Sequence, residues 1–583
     1  MKKITCLMIA CLYACSMFVS AIDILDVAPG VGTLNDAINQ YKGDRIYRLK
    51  NGYNGYYVIN EIINNTGFEL TIIGGGAPDA NDPKPSMPPT LQISGTGGVP
   101  FSYFFQAFSN LTLRGIYLVN ATADGVFNTQ YLIRIDGNDV RVIIDNCVLD
   151  PSGGPIYSPG GSPKIYLTNN LFNRLTNQTL SVNGPVNFYF PNDQYGVDTL
   201  FVENNTFVGL STAVFSDNNA PVKSGFTWIN HNTFVHHLAQ IDWMSNQENF
   251  FFTNNLLYDC HAIPYEKSWV GGWDNYPAGG VSELLWSHPS PKVKDKGVEI
   301  DWGFDKMTSF VANNIEFKNK KFFDNLDDLY TWTNEVGLDN TMYFQPLVWT
   351  TDAPAIGIDL DEALEKNPQA SVYNSTAYPN WKAAANKYNI DPMFTDKRIK
   401  EHSDIFAQWT LPAIKKDYFS SKYTSADHTS LNWYWDPDGK VGENETWPLF
   451  DGSYANESAL TAGLDGLPVG DLNWFPDAKN TWLEHKKEID DHILSLNTTP
   501  MNLTGNDFIS YVDVAVYPNP ANESFMIRGK VDKGVTIIDI TGKIVKSVTN
   551  YQGAVSLSGI SKGVYFVKLT SDGIVVVRKL IVN

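Results

Sequence analysis

Residues 142–150 read VIIDNCVLD, and the same arrangement returns as IYLTNNLFN at 165–173, LFVENNTFV at 200–208, TWINHNTFV at 227–235, FFTNNLLYD at 251–259 and FVANNIEFK at 310–318. Each copy is an apolar run, a polar pair ending in Asn, and a second apolar run. A weaker copy, LTLRGIYLV at 111–119, carries Gly115 at the same place, and LTIIGGG at 70–76 reads as an earlier coil. The spacings are 115→146 (31), 146→170 (24), 170→205 (35), 205→232 (27), 232→255 (23) and 255→314 (59). A period in the twenties with variable excess is what stacked coils produce when loops of unequal length interrupt them. No coil can bury its apolar face alone, so the core exists only in the stack. Asn at the corner tolerates left-handed backbone, and its amide can bond the Asn one coil away. Propeller blades need periods of about 40 or more. The expected fold is all-β, a right-handed parallel β-helix.

Working outward, Gly32 to Tyr47 places Leu34, Ala37 and Ile38 at helical spacing and suits a cap on the first coil. After residue 320 the periodicity fades. Helical patterning is expected at Phe322–Glu335, Ala383–Tyr388 and Asp477–Leu496, the last with Lys486-Lys487-Glu488 on a solvated face. This segment, 321–505, reads as a mixed C-terminal cap that hides the exposed edge of the last coils. The final residues, 506–583, hold short alternating strands at 524–527, 535–539, 545–548, 564–569 and 575–581 between Gly turns, the pattern of a small β-sandwich. At the other end, Lys2 and Lys3 precede an apolar stretch to about Val19, with small residues Val19-Ser20-Ala21 before Ile22. Residues 1–21 therefore read as a secretory signal, with lipoprotein processing at Cys15 as the alternative. The β-helix body is placed at 22–320. No later segment reaches about 18 apolar residues, so no transmembrane span is expected in the mature protein. Three of the five Cys lie in the signal, leaving Cys147 and Cys260 as either a disulfide or two buried thiols.

The tail carries Tyr517-Pro518-Asn519-Pro520, then DITGK at 539–543, GVYFVKL at 563–569 and a basic-apolar ending from Arg578 to Val582. It resembles the C-terminal sorting domain of the type IX secretion system of Bacteroidetes. That resemblance implies Sec export, passage across the outer membrane, then surface attachment or release, with the secretion machinery as a partner. The coils in turn resemble the pectate-lyase-like β-helix families, a likeness that implies fold more than activity.

Charge restricts the function. The formal net charge of -20 opposes phosphate backbones and argues against nucleic acid. It also disfavours polyanionic glycans unless a basic patch or bound cation reverses the field. The 15 Trp and 29 Tyr suit either sugar stacking or a core. The Asn-Thr-Asp and Gly-His-Gly segments familiar from polygalacturonases are absent, and the Asp-Asp pairs at 327–328 and 490–491 lie in the helically patterned stretches, not in the coils, which weakens a hydrolase reading. Trp228-Ile229-Asn230-His231 resembles the Trp-Ile-Asp-His strand of pectate lyases, with a poorer calcium ligand at Asn230, and it also fits the repeat itself.

The densest ionisable cluster is Lys223, His231, His236, His237, Asp242, His261, Glu266 and Lys267. In an enzyme, His236, Lys267 or His231 would act as base, and Asp242 with Glu203 would hold a cation such as calcium. The same residues equally suit loops of an ordinary folded protein. Arg114 and Arg134 are alternative neutralisers of a carboxylate. Asp436 and Asp438, before Glu443 and Glu445, make a weaker calcium loop or a plain Asp/Gly turn. The expected function is a secreted or cell-surface protein acting on polysaccharide, either a lyase of acidic uronate glycans or a non-catalytic glycan-binding or adhesive protein.

Overall fold

In the computed structural model the described residues are 23–93, 102–121, 131–150, 154–175, 187–262 less 212 and 219, 290–335, 380–418, 447–496 and most of 515–583, with short strands at 265–266, 285–286 and 342–343. The signal region, Lys267, Asp436 and Asp438 lie outside them.

The body is a right-handed parallel β-helix. One coil shows the plan: Arg141–Asp145 lies in the first sheet, Val148–Leu149 in the second, Gly154–Tyr157 in the third, and Lys164–Thr168 reopens the first sheet one rung on. The first and second sheets hold 11 strands each and the third holds 8. In the first sheet the inward row Ile144, Leu167, Val202, Ile229, Phe252 and Val311 stacks rung on rung in the core. Aromatic rings follow the same rise, with Phe172, Phe207 and Phe234 parallel at 4.7 and 4.8 Å, matching the interstrand spacing.

The corner between the first and second sheets repays close reading. Gly115, Asn146, Asn169, Asn204, His231, Asn254, Asn313 and Ala385 all have left-handed backbone. The residue after each enters a buried ladder, and Asn170, Asn205, Asn232, Asn255, Asn314 and Asn386 are bonded Nδ2 to Oδ1 at 2.9, 2.9, 3.1, 3.0 and 2.8 Å. Asn146 therefore belongs one place earlier than the spacing suggested, and Cys147 occupies the ladder position, its N–H donating to Asn170 Oδ1. Each Asn Nδ2 also donates to a backbone carbonyl, as Asn205 does to Leu167 and Asn232 to Val202.

Two expectations are corrected. Residues 383–388 are not helical: Trp381–Ala384 and Lys387–Tyr388 pair with the last strands of the first and second sheets. The coils thus continue past 320, because an open sheet edge offers 381–388 more hydrogen bonds than a short isolated helix would. The cap also covers sides rather than only the end. The Pro476–Leu496 helix lays Trp482, Ile489 and Ile493 on the outer row Tyr166, Phe201, Trp228 and Phe251 of the first sheet. Ile399, Leu449 and Phe450 pack on the outer row Val148, Leu171, Val208, Val235 and Tyr258 of the second. Lys486 consequently faces inward, not to solvent, and its ammonium sits 2.8 Å from both Glu203 and Asp490.

The other expected elements form. Thr33–Tyr41 is the N-terminal cap helix and Lys320–Glu335 a helix after the Asn314 coil, while Lys397–Tyr418 is a helix not foreseen. Residues 515–583 form a 3-stranded and a 4-stranded antiparallel sheet over a core with Phe525, Ile537, Val567 and Leu580. Cys147 and Cys260 are buried free thiols.

Asn232→Ala removes two acceptor contacts from Asn205 and strands the Val202 carbonyl inside the stack. It should destabilise the fold by about 3 kcal/mol, read from the midpoint of urea unfolding; a loss below about 0.5 kcal/mol would remove the ladder from the account.

Candidate functional site

Among the described residues the ionisable cluster chosen from the sequence does not meet at one site; Lys267 and the Glu266 side chain lie outside them. His231 fills the left-handed corner place and is fully buried, with Nδ1 3.3 Å from the Gly470 carbonyl. Burial holds its pKa down at about 3, so the ring is neutral and structural. His236 sits at the corner after the second sheet under the Lys397–Tyr418 helix, with its Nδ1 3.1 Å from His402 Nδ1. Burial, and then the His402 charge, keep it well below the usual imidazole range. His237 and His261 are buried as well. These rings lack access to a substrate, which corrects the role expected for His231 and His236.

The expected cation pair is also separated. Glu203 ends a first-sheet strand, accepts hydrogen bonds from Trp228 Nε1 and Asn230 Nδ2 at 3.0 Å, and pairs with Lys486. Burial opposes its ionisation, but the Lys486 ammonium outweighs that and holds the carboxylate charged. Asp242 lies in the third sheet, in register with the core residue Phe215. Its Oδ2 accepts from Gln247 Nε2 at 2.6 Å, and burial, followed by the nearby Asp217 charge, raises its pKa well above the carboxylate range. A neutral acid facing the core and an ion-paired carboxylate in another sheet do not form a calcium site. Among the described residues no group of three or more His, Cys, Asp or Glu is placed to hold a metal. Lys223 is engaged by Glu248 and Asp295 at 3.2 and 3.0 Å, and Arg114 faces Asp145 at 3.7 Å.

The third sheet's outer face is different in kind. Its register sets Asn64, Gln106, Arg134, Tyr157, Tyr189, Ser216 and Trp243 in one row, one residue per rung. Their inward neighbours Phe105, Ile133, Ile156, Phe188 and Phe215 belong to the core, which turns the row outward. Gln106, Arg134, Tyr157, Tyr189 and Trp243 are half-buried, as are Tyr103 and Tyr131 beside them. Tyr131, Tyr157 and Tyr189 stack with centroids 5.3 and 5.7 Å apart. The Arg134 guanidinium lies 5.4 Å from the centre of Tyr103 and 5.3 Å from that of Tyr157. Its Nε is 2.8 Å from both oxygens of Asp136, and Nη1 donates to the Tyr103 hydroxyl at 3.1 Å. Gln106 Nε2 donates to Asp136 from the adjacent rung at 2.7 Å.

The electrostatics of this set are settled locally. The hydrogen bond to Asp136 raises the Arg134 pKa still further, so the guanidinium stays charged. Burial works against the Asp136 carboxylate, yet Arg134 and Gln106 together hold it below the ordinary range. Burial, with the neighbouring phenols, pushes Tyr131 up, which leaves its hydroxyl protonated. The face thus offers aromatic surface, hydroxyls that donate and accept, and planar amide, carboxylate and guanidinium groups held in place. Of these residues sequence reading singled out Arg134 alone, as a neutraliser. The Tyr row was hidden because loops of unequal length separate residues that the stack makes adjacent.

Asp242→Asn should stabilise the protein at neutral pH. The folded carboxyl keeps its proton to a higher pH than the unfolded one, so its contribution is full below the ordinary carboxylate range and is lost as pH rises. Thermal unfolding at pH 4 and pH 8 should show the variant gaining over the wild type mainly at pH 8. An equal difference at both values would mean that Asp242 is ionised in the core.

Residues 515–583 match the family model described as "Secretion system C-terminal sorting domain". No curated protein matches the chain. Among solved structures the chain is similar to one described as "Structure of PL6 family alginate lyase AlyGC", at 18% identity and a TM-score of 0.25, over 42% of this chain and 34% of that one. So slight a likeness, spanning about a third of that structure, carries no argument about this chain. No described helix is long and apolar enough to cross a membrane. The sorting domain makes this a protein exported by type IX secretion to the cell surface or beyond it.

Proposed function

We propose that the protein binds polysaccharide along the outer face of the third sheet. One observation carries the reading: Tyr103, Tyr131, Tyr157 and Tyr189 surround a fixed Arg134–Asp136–Gln106 set on a half-buried, outward row. Aromatic surface beside planar hydrogen-bonding groups suits a ring that is apolar on its faces and polar at its rim. Among the described residues the cap packs on outer rows of the other two sheets, and export brings the third sheet's outer face to where extracellular glycans are. These features support holding a glycan. A lyase would need a base beside the bound sugar, whereas Arg134 is protonated and already paired.

Retention of the full-length protein in gels containing individual polysaccharides tests this. Tyr157→Ala and Tyr189→Ala should each weaken binding of a retained polymer about 10-fold, about 1.4 kcal/mol, with unchanged melting temperature. Retention indifferent to both substitutions would overturn the assignment to this face. Release of unsaturated sugar ends, followed by absorbance with and without calcium, would replace holding by lyase chemistry.

A further inference from the structure

Resting on the reading of the third sheet as a glycan face, we infer that the glycan it accepts is an uncharged linear polysaccharide running along the stack, and not a polyuronate. A uronate chain presents one carboxylate per ring, and each needs an unmatched cation or an unspent set of donors. Among the described residues the cation on this face is Arg134. Its Nε points at both oxygens of Asp136, one N–H of Nη1 goes to the Tyr103 hydroxyl, and Gln106 fixes Asp136 from the next rung, so the charge is matched while the remaining Nη N–H groups are left to donate to sugar hydroxyls. The pair is neutral as a unit. Farther along the body, Lys223 is bridged by two carboxylates, Glu248 and Asp295. Around all of this lies a chain of net charge -20, which repels a polyanion before any contact is made.

What the face leaves available is matched to hydroxyl groups. The phenols of the Tyr row donate and accept, as sugar hydroxyls do. Successive rungs are about 4.8 Å apart, and the ring centroids follow at 5.3 and 5.7 Å. That rise is close to the advance of one pyranose ring in an extended chain, so a glycan lying along the axis meets the Tyr131, Tyr157 and Tyr189 rings on three successive rungs. A neutral polymer also explains why Asp136 accompanies Arg134 here: it cancels a charge that would otherwise select for acids.

The experiment uses the full-length protein with β-glucan and β-mannan as neutral polymers, and alginate and polygalacturonate as acidic ones, at low and high NaCl. The expected result is retention by at least one neutral polymer, changing less than about 2-fold with salt because no net charge is paired. Polyuronates should bind at least about 10-fold more weakly. Asp136→Asn, which unmatches the guanidinium, should strengthen polyuronate retention at low salt only. Preference of the wild type for a polyuronate, weakened by salt and abolished by Tyr157→Ala, would overturn the neutral class while leaving the glycan face standing. Retention unaffected by Tyr157→Ala and Tyr157→Phe, or no retention by any of the four polymers, would overturn the glycan face itself.

Discussion

Every coil must turn sharply from the first sheet into the second, and each turn leaves backbone N–H and C=O groups inside the stack where no water can reach them. The Asn ladder resolves this. In Asn205 the Oδ1 accepts from both the backbone N and the Nδ2 of Asn170, while Nδ2 donates to Leu167 O and to Asn232 Oδ1. One side chain thereby satisfies four groups, and the same solution is repeated at Asn232, Asn255 and Asn314, with Asn170 and Asn386 as the ends of the ladder. The left-handed residue before each Asn gives the turn its shape, which is why Asn, Gly or a small set of tolerant residues stands there. His231 and Ala385 are the exceptions in type, and His231 Nδ1 finds the Gly470 carbonyl of the cap.

With the corner fixed, the strands on either side hold a constant register, and that register decides what each face presents. In the first sheet the Pro476–Leu496 helix covers an apolar outer row of Tyr166, Phe201, Trp228 and Phe251. A buried charge network ties that helix to the coils: Lys486 lies between Glu203 and Asp490, with Trp482 4.5 Å from its ammonium. Burial pushes the Asp490 carboxyl up while the Lys486 ammonium keeps Glu203 ionised, so two carboxylates share one ammonium unequally. Removing the lysine would leave Glu203 charged and unpaired in the interior, which makes the contact specific rather than generally adhesive.

Among the described residues, the apolar clusters that tie the cap to the first and second sheets hold no outer residue of the third, and the difference shows in its chemistry. Burial governs His231, His236 and Asp242, whereas ion pairing overrides it at Glu203 and Lys486. His231 and His236 are neutral, and Asp242 is a protonated acid. On the third sheet's outer row, partner contacts govern: Arg134 and Asp136 are both charged and both satisfied. Rings, hydroxyls and a closed ion pair make a surface built for contact, in a protein whose sorting domain carries it out of the cell.

Much of the fold was legible because a repeated Asn after a polar residue between apolar runs has few other physical uses, and because the tail strands alternate cleanly. The sequence even held a sign of the Lys486 contact, since 482, 486, 489 and 493 lie on one helical stripe with a lysine among Trp and Ile. It could not show where His236, Asp242 and Glu203 point, because proximity along a coil says nothing about which of three sheets a residue joins or which side it faces. Nor could it bring Tyr131, Tyr157 and Tyr189 together, for the loops between them differ in length and only the register of the stack makes them neighbours. Local composition determined that coils form and stack; the pairing of each rung with the next decided which side chains meet, because side-chain direction alternates along every strand and one residue of slip exchanges core for surface.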